Sequence, residues 1–160
     1  MSLLTFIARL SAWHLAPRRS GASWITGFCE GRAAFTYSTM GGGKIMPCFS
    51  VRCRRENEDL LRLLQSFFNA GSIYACGPTS YFRVHKRDEV RRIASHFQLC
   101  PLRSARRTAI FGAWTELVDA CARRESAESV RLLAEKLSSL QLRQRGTRKH
   151  PLCQSGNAAA

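Results

Sequence analysis

The residue types that most often carry catalysis or bind metals are scattered along this sequence of 160 residues. Its seven cysteines include no pair at C-x-x-C spacing, and the four histidines have no metal-ligand spacing to any cysteine. An odd number of cysteines, most of them in apolar settings, argues against a zinc site and a disulfide scaffold and favours a reducing, intracellular compartment. Glu58 and Asp59 are typical of a helix start rather than of a catalytic pair of acids.

The chemistry that the composition does favour is the binding of a polyanion. The chain has 25 Lys and Arg residues against 11 Asp and Glu residues, a formal net charge of +14. Because 45% of the residues are hydrophobic, a packed core is possible and the positive charge must lie on its surface. Such a surface favours nucleic acid or an anionic membrane as the partner. No apolar run approaches the ~20 residues of a membrane-spanning helix, which excludes a spanning protein, and we expect nucleic acid rather than a membrane.

The hydrophobic pattern predicts a helix, a hairpin, a second helix, a second hairpin and then three more helices. The first helix spans Ser23–Gly31, with Ser23 as its N-cap. A hairpin follows, with strands over Ala33–Met40 and Ile45–Cys53 and a glycine turn between them. A second helix is expected between Asn57 as its cap and Gly71 as its stop, and a second hairpin over Ser72–Lys86. The last three helices are predicted from Asp88 to before Pro101, around Ile110–Cys121, and after Ser126 as cap.

Two hairpins of similar length, each followed by a helix, predict an α+β fold with one four-stranded antiparallel sheet. Helices would cover one face, and the other face would be open. Residues 21–142 are expected to form this single domain. Residues 1–20 have arginines, apolar residues and no acids, as in a mitochondrial presequence, although an upstream reading-frame extension is the favoured explanation. Residues 143–160 are expected to form a disordered basic and Ala-rich tail, and the compartment stays open between a bacterial cytoplasm and an organelle.

The segment Trp24–Phe35 resembles the signature motif of the LAGLIDADG homing endonucleases. The predicted element order agrees with the αββαββα core of that family. The resemblance implies an intron-encoded enzyme that binds a long pseudo-palindromic DNA site and hydrolyses its phosphodiester bonds with Mg²⁺ or another divalent cation. It covers roughly residues 23–121 and continues through Phe49–Val51, the Leu-rich helix ending in Gly71, Tyr81–Val84 and Pro101–Arg103.

One copy of the motif is present, and the resemblance therefore implies a homodimer whose motif helices pack together across a two-fold axis. Gly27 and Gly31 lie one helical turn apart and give the helix a bare stripe that suits such a close approach. An ordinary glycine-containing core helix is the alternative on the motif alone.

The motif departs from the family at its catalytic end. The family's metal-binding acid falls on Arg32, which stays protonated and cannot bind Mg²⁺, although it can hold a phosphate. Glu30 matches the motif's earlier acid and is the remaining candidate metal ligand. Because two residues turn a helix by about 200°, Glu30 needs a local shift of the helix end to reach that site. The resemblance further places a water-ordering position on Cys53 and the basic residue near the scissile phosphate on Arg103.

Alternation along the strands predicts which side chains line the open face of the sheet. The resemblance implies that this face lies in the major groove, where Arg52 and Arg83 could read guanine edges. Met40 and Cys76 are expected to contribute least. The full set of outward residues is Thr36, Ser38, Met40, Ser50, Arg52, Tyr74, Cys76, Tyr81 and Arg83. The residues expected to contact phosphates, without reading sequence, are Lys44, Arg54, Arg55, Lys86, Arg106 and Arg107.

The change at Arg32 leaves three hypotheses open. The first is an endonuclease in which Glu30 supplies the metal carboxylate. The second is a cleavage-inactive descendant that binds DNA or structured intron RNA, for example as an aid to splicing. The third is a small basic RNA-binding protein, such as a ribosomal component, which would be a monomer.

Overall fold

The computed structural model describes residues 21–142, and the two predicted terminal segments, 1–20 and 143–160, lie outside the described residues. The chain forms the predicted order of elements in an α+β fold. Helix α1 covers residues 21–32. The other elements are β1 (Ala33–Thr39), β2 (Ile45–Arg54), α2 (Glu58–Phe68), β3 (Ser72–Cys76), β4 (Thr79–Val84), α3 (Arg87–Leu99), α4 (Ala105–Ala122) and α5 (Ala127–Leu142).

The four strands form one antiparallel sheet in the order β1-β2-β4-β3. Each hairpin stays paired, and β2 joins β4 in the centre of the sheet. Because successive side chains point to opposite faces, one face carries an unbroken apolar surface under the helices, and the other faces solvent as predicted. The apolar face is formed by Phe35, Phe49, Val51, Phe82 and Val84, each at most 1% exposed.

Phe35 is the centre of the core and ties β1 to the helices. Its ring lies 5.2 Å from the rings of Phe97 in α3 and Trp114 in α4, and 5.4 Å from that of Phe49 in β2. Trp114 Nε1 also donates a hydrogen bond of 2.9 Å to the carbonyl of Thr36, so the largest core side chain leaves no unpaired donor. These contacts fix β1 and therefore the end of α1, which runs directly into it.

Several local predictions can be compared with the observed helix ends. Ser23 lies inside α1, because the helix already covers residues 21 and 22, so its prediction as an N-cap is wrong. Asn57 occupies the N-cap position of α2 but makes no side-chain capping bond. Ser126 Oγ accepts a hydrogen bond of 3.2 Å from the Ser129 amide, as a cap should. Gly71 has φ +74, and a Cβ there would lie 2.7 Å from the Arg83 carbonyl, so only glycine fits this turn.

No helix within residues 21–142 combines the length and apolar character needed to cross a bilayer.

Candidate nucleic-acid interface

The register of the sheet brings the predicted outward side chains together on the open face in cross-strand rows. One row runs from Ala34 through Ser50 and Arg83 to Ser72. The next row runs from Arg52 through Tyr81 to Tyr74. The remaining predicted outward residues, Thr36, Ser38 and Cys76, lie on the same face, and Met40 follows β1 with 54% of its surface exposed.

Five of the six predicted phosphate contacts are exposed cations, four of them in or next to the strands and Arg106 in the first turn of α4. Arg54 forms an exposed ion pair of 3.6 Å with Glu56, and exposed Lys86 forms one of 3.4 Å with the partly buried Glu89. Exposed pairs of this kind contribute about 1 kcal/mol or less, so both cations can exchange these partners for phosphates. The five are Lys44, Arg54, Arg55, Lys86 and Arg106.

The sixth, Arg107, departs from its predicted place at the interface. Its guanidinium donates to the carbonyls of Cys29 (3.1 Å) and Ala33 (2.6 Å), and it lies 5.5 Å from the centre of the Phe35 ring. Its Nε is buried without a hydrogen-bond partner among the described residues. Burial also lowers the pKa of Arg107, which the nearby carboxylate of Glu30 partly offsets. Arg107 therefore stabilises the carboxyl end of α1, a role that differs from the phosphate contact predicted for it.

Glu30 points to the start of α4. Its carboxylate accepts hydrogen bonds from the backbone amides of Arg103 (2.9 Å) and Ser104 (3.1 Å) and from Ser104 Oγ (2.7 Å). Burial alone would raise the pKa of Glu30, but these bonds and the charge of Arg107 outweigh it and hold the pKa below its ordinary value. The carboxylate thus neutralises the positive N-terminal end of α4. Arg103, which the family resemblance predicts to lie near a scissile phosphate, belongs to the same turn.

Arg32, at the position of the family's acid, is the exposed last residue of α1. It lies near Cys53, whose thiol is only 6% exposed and donates to the Asn57 carbonyl at 3.3 Å. Burial and the charge of Glu58 raise the pKa of Cys53, while Arg32 lowers it. The charge of Arg32 therefore acts on the Cys53 thiol, which is buried and neutral.

The donor set at the end of α1 does not fit a hard divalent cation. Mg²⁺ needs oxygen ligands, yet Arg32 brings a positive charge and Glu30 is held by three donors. Glu58 already accepts hydrogen bonds from Ser80 Oγ and from Arg62, both at 2.7 Å. Across residues 21–142, no group of three or more His, Cys, Asp or Glu side chains is placed to hold a metal ion.

One face of α1 is fixed to the domain and the other is exposed. Ile25 and Cys29 are buried, and the hydroxyl of Thr26 lies 3.1 Å from Nε2 of His96 in α3. On the outer face Gly27 and Gly31 have open space where a side chain would stand. The outer face also carries Trp24, which is 43% exposed and stacks on Phe28 with ring centres 5.3 Å apart.

The chain folds into a glycine-bearing motif helix that leads into a sheet with an open basic face, as the resemblance to the LAGLIDADG motif implies. The family model of the LAGLIDADG endonucleases matches residues 25–118, and the chain belongs to that family. Its fold matches that of single-motif members. A crystal structure of the homing endonuclease I-TnaI is 20% identical with a TM-score of 0.65, and the match covers 78% of this chain and 97% of that one.

Two further solved structures show the same fold with DNA present. The archaeal intron-encoded homing endonuclease I-Vdi141I, complexed with DNA, is 18% identical with a TM-score of 0.67, over 81% of this chain and 88% of that chain. The LAGLIDADG meganuclease I-AabMI, bound to uncleaved DNA, is 21% identical with a TM-score of 0.65, over 74% of this chain and 42% of that chain. A search of curated proteins gave no match.

Proposed function

We propose that this protein binds double-stranded DNA through the open face of its sheet, as a homodimer, and does not cleave that DNA by the metal-dependent route of its family. The observation that carries the proposal is Arg32, a permanent cation at the motif position where the family has its metal-binding acid. Glu30, the other motif carboxylate, caps α4 with three hydrogen bonds and is not free to replace that acid.

The binding half of the proposal is supported by the chemistry of the open face. Arginine, serine and tyrosine side chains stand in neighbouring rows and supply donors and acceptors suited to base edges. Exposed cations around the sheet can neutralise phosphates. The family membership and the DNA-bound neighbours favour duplex DNA over the structured intron RNA that a splicing role would require.

The experiment that tests this proposal starts from a random duplex library, because the target is unknown. Rounds of selection on the purified full chain should enrich a site that the protein binds in EDTA and equally well in Mg²⁺. Incubation of that site with excess protein and Mg²⁺ should leave it uncut on denaturing gels. Cleavage by the wild-type chain would overturn the inactive half of the proposal, and failure to enrich any duplex would overturn the binding half. A structured RNA competitor shows whether the duplex is the preferred polyanion.

The neighbouring residues Arg106 and Arg107 give a matched test of the interface. We expect Arg106→Ala to weaken DNA binding and to reduce the slope of log K against log salt by about 0.9 for each phosphate that is no longer neutralised, with stability unchanged. Arg107→Ala should instead lower the free energy of unfolding by about 2 kcal/mol, because it removes charged hydrogen bonds to two carbonyls. Salt titrations and urea unfolding measure the two effects. An equal reduction of salt dependence in both variants would contradict this division of roles.

The homodimer can be tested at Gly27. In the single chain a side chain at Gly27 meets nothing within 4 Å, so Gly27→Leu should leave the fold intact. If two copies of α1 pack closely across the axis, the added side chain separates them, and light scattering should show a monomer. Gly112→Leu is the matched control, because Gly112 is a helical glycine of α4 with equally open space. A wild-type monomer, or a G27L dimer as stable as the wild type, would contradict the proposal.

A further inference from the structure

Three side chains on the open face form a stack that crosses the second hairpin. Tyr81 of β4 and Tyr74 of β3 are directly paired, and their rings lie 5.2 Å apart at an angle of only 8°. The guanidinium carbon of Arg83 lies 5.4 Å from the centre of the Tyr74 ring. Arg83 pairs with Ser72, so Tyr74 is its diagonal neighbour, a separation that long and aromatic side chains can bridge.

The stack restrains Arg83 while leaving its hydrogen-bonding edge available. A cation over a tyrosine ring is held by the charge distribution of the ring and needs none of its N–H groups for the contact. Within residues 21–142, no carboxylate, carbonyl or hydroxyl accepts a hydrogen bond from the Arg83 guanidinium. Ordering an arginine side chain otherwise costs rotamer entropy, and a side chain already restrained loses less on binding.

The surroundings of Arg83 suit a base edge. Its cross-strand neighbours in the row are Ser50 and Ser72. Because both have short side chains, the Arg83 side chain is the longest in its row. Tyr74 is 39% exposed, so the stack stands at the surface and is not covered by another element of the described chain. Partial burial raises the pKa of Tyr74, and the charge of Arg83 acts to lower it.

We propose that the Tyr81–Tyr74 stack positions Arg83 to read one guanine in each half of the DNA target, with Tyr74 as the positioning residue. The planar guanidinium offers two parallel N–H donors, which match the O6 and N7 acceptors that guanine presents in the major groove. This inference rests on the proposed DNA-binding function and adds to it the base and the residues that select it.

The experiment measures base preference and not affinity alone. The site selected with the wild-type chain is resynthesised with each of the four base pairs at every position, and relative affinities are measured by competition. We expect one guanine per half-site whose replacement weakens binding by about tenfold or more. In Arg83→Ala the preference at this position should vanish while the preferences at other positions remain. Arg52→Ala, from the neighbouring row, is the matched control and should retain the preference at this guanine.

Tyr74 is tested by a pair of variants that separates the ring from the hydroxyl. Tyr74→Leu should lose most of the guanine preference although Arg83 is still present. Tyr74→Phe keeps the ring and should retain it. Thermal unfolding of each variant confirms that the exposed substitutions leave the fold intact, and the dependence of the guanine preference on an aromatic ring is a result that a merely structural tyrosine would not give.

The possible outcomes distinguish a failure of this inference from a failure of the proposed DNA binding. If no duplex is selected, the proposed DNA binding fails first. If a site is selected but R83A weakens all four base pairs equally, Arg83 contacts a phosphate and the inference is wrong while DNA binding stands. If R83A removes the preference but Y74L keeps it, Arg83 reads the base without help from the stack. If Y74F loses the preference as Y74L does, the hydroxyl of Tyr74 and not its ring is responsible. Either result overturns the positioning role of the Tyr74 ring.

Discussion

Replacing Arg32 by aspartate is expected to give a variant that nicks or cleaves, in Mg²⁺, the same duplex that the wild-type protein binds and leaves uncut. Arg32 is the exposed last residue of α1, so the substitution should not disturb the core. It exchanges a positive charge for a carboxylate, the oxygen ligand that a hard divalent cation requires. In the proposed dimer the two copies of this residue lie near the axis, and R32D would supply a carboxylate from each subunit.

The DNA affinity of R32D, like its activity, should depend on a divalent cation. In EDTA the two added carboxylates repel the DNA, and binding should be at least tenfold weaker than that of the wild type, roughly the effect of removing one or two charge-assisted contacts. Ca²⁺ should restore binding without cleavage, and Mg²⁺ should restore binding with cleavage. Filter binding and denaturing gels measure the two effects on the selected site.

Two control variants distinguish the effect of a carboxylate at position 32 from the effect of the change in net charge. Arg91→Asp makes the same change of charge at an exposed position of α3, in the helical layer, and should not gain cleavage. Arg32→Ala removes the cation without adding a ligand and should also stay inactive. If R32D binds divalent metal no better than the wild type and cuts nothing, the missing carboxylate is not what keeps this protein from cleaving, and the proposed reason for its inactivity is wrong.

The order of elements, the antiparallel sheet and its two faces were predictable because short-range patterns encode them. Alternation through Phe49, Val51 and Cys53 identifies the buried face of β2, and the same alternation places Ser50 and Arg52 opposite it. Cys48 shows the limit of this rule. It lies on the open side of β2 by alternation, yet it is only 5% exposed, so alternation places a side chain on a face without showing how far it is buried there.

The partners of Glu30 and Arg107 could not be predicted, because they lie 73 to 78 residues away along the chain. No spacing rule links a motif carboxylate to the first turn of α4. A signal for Glu30 was present in α4 itself. The first turn of that helix contains no acidic residue, so its N-terminal end requires a carboxylate from elsewhere. For Arg107 the local sequence predicted a phosphate contact instead, because the residue belongs to a run of cations typical of a phosphate-binding site.

Replacing Glu30 by glutamine should destabilise the domain by about 1 to 2 kcal/mol at neutral pH, the usual cost of removing a helix cap. The wild-type carboxylate accepts three hydrogen bonds with two charged oxygens, whereas a glutamine amide has one carbonyl oxygen and no negative charge. Urea unfolding at neutral pH measures the difference. Glu135→Gln is the matched control, since it removes only an exposed ion pair with Arg131 in α5 and should cost far less.

The pH dependence of this difference follows from the direction of the Glu30 pKa shift. The pKa is lower in the folded chain than the ordinary value of 4.5, so the unfolded chain takes up the proton first as the pH falls. The stabilisation is therefore complete above the unfolded pKa and is lost as the pH falls through the folded pKa. The stability gap between wild type and E30Q should be constant near pH 7 and should close below about pH 4.5. A gap that persists at low pH would show that Glu30 acts through packing, whereas closure identifies its charge as the link between the motif helix and α4.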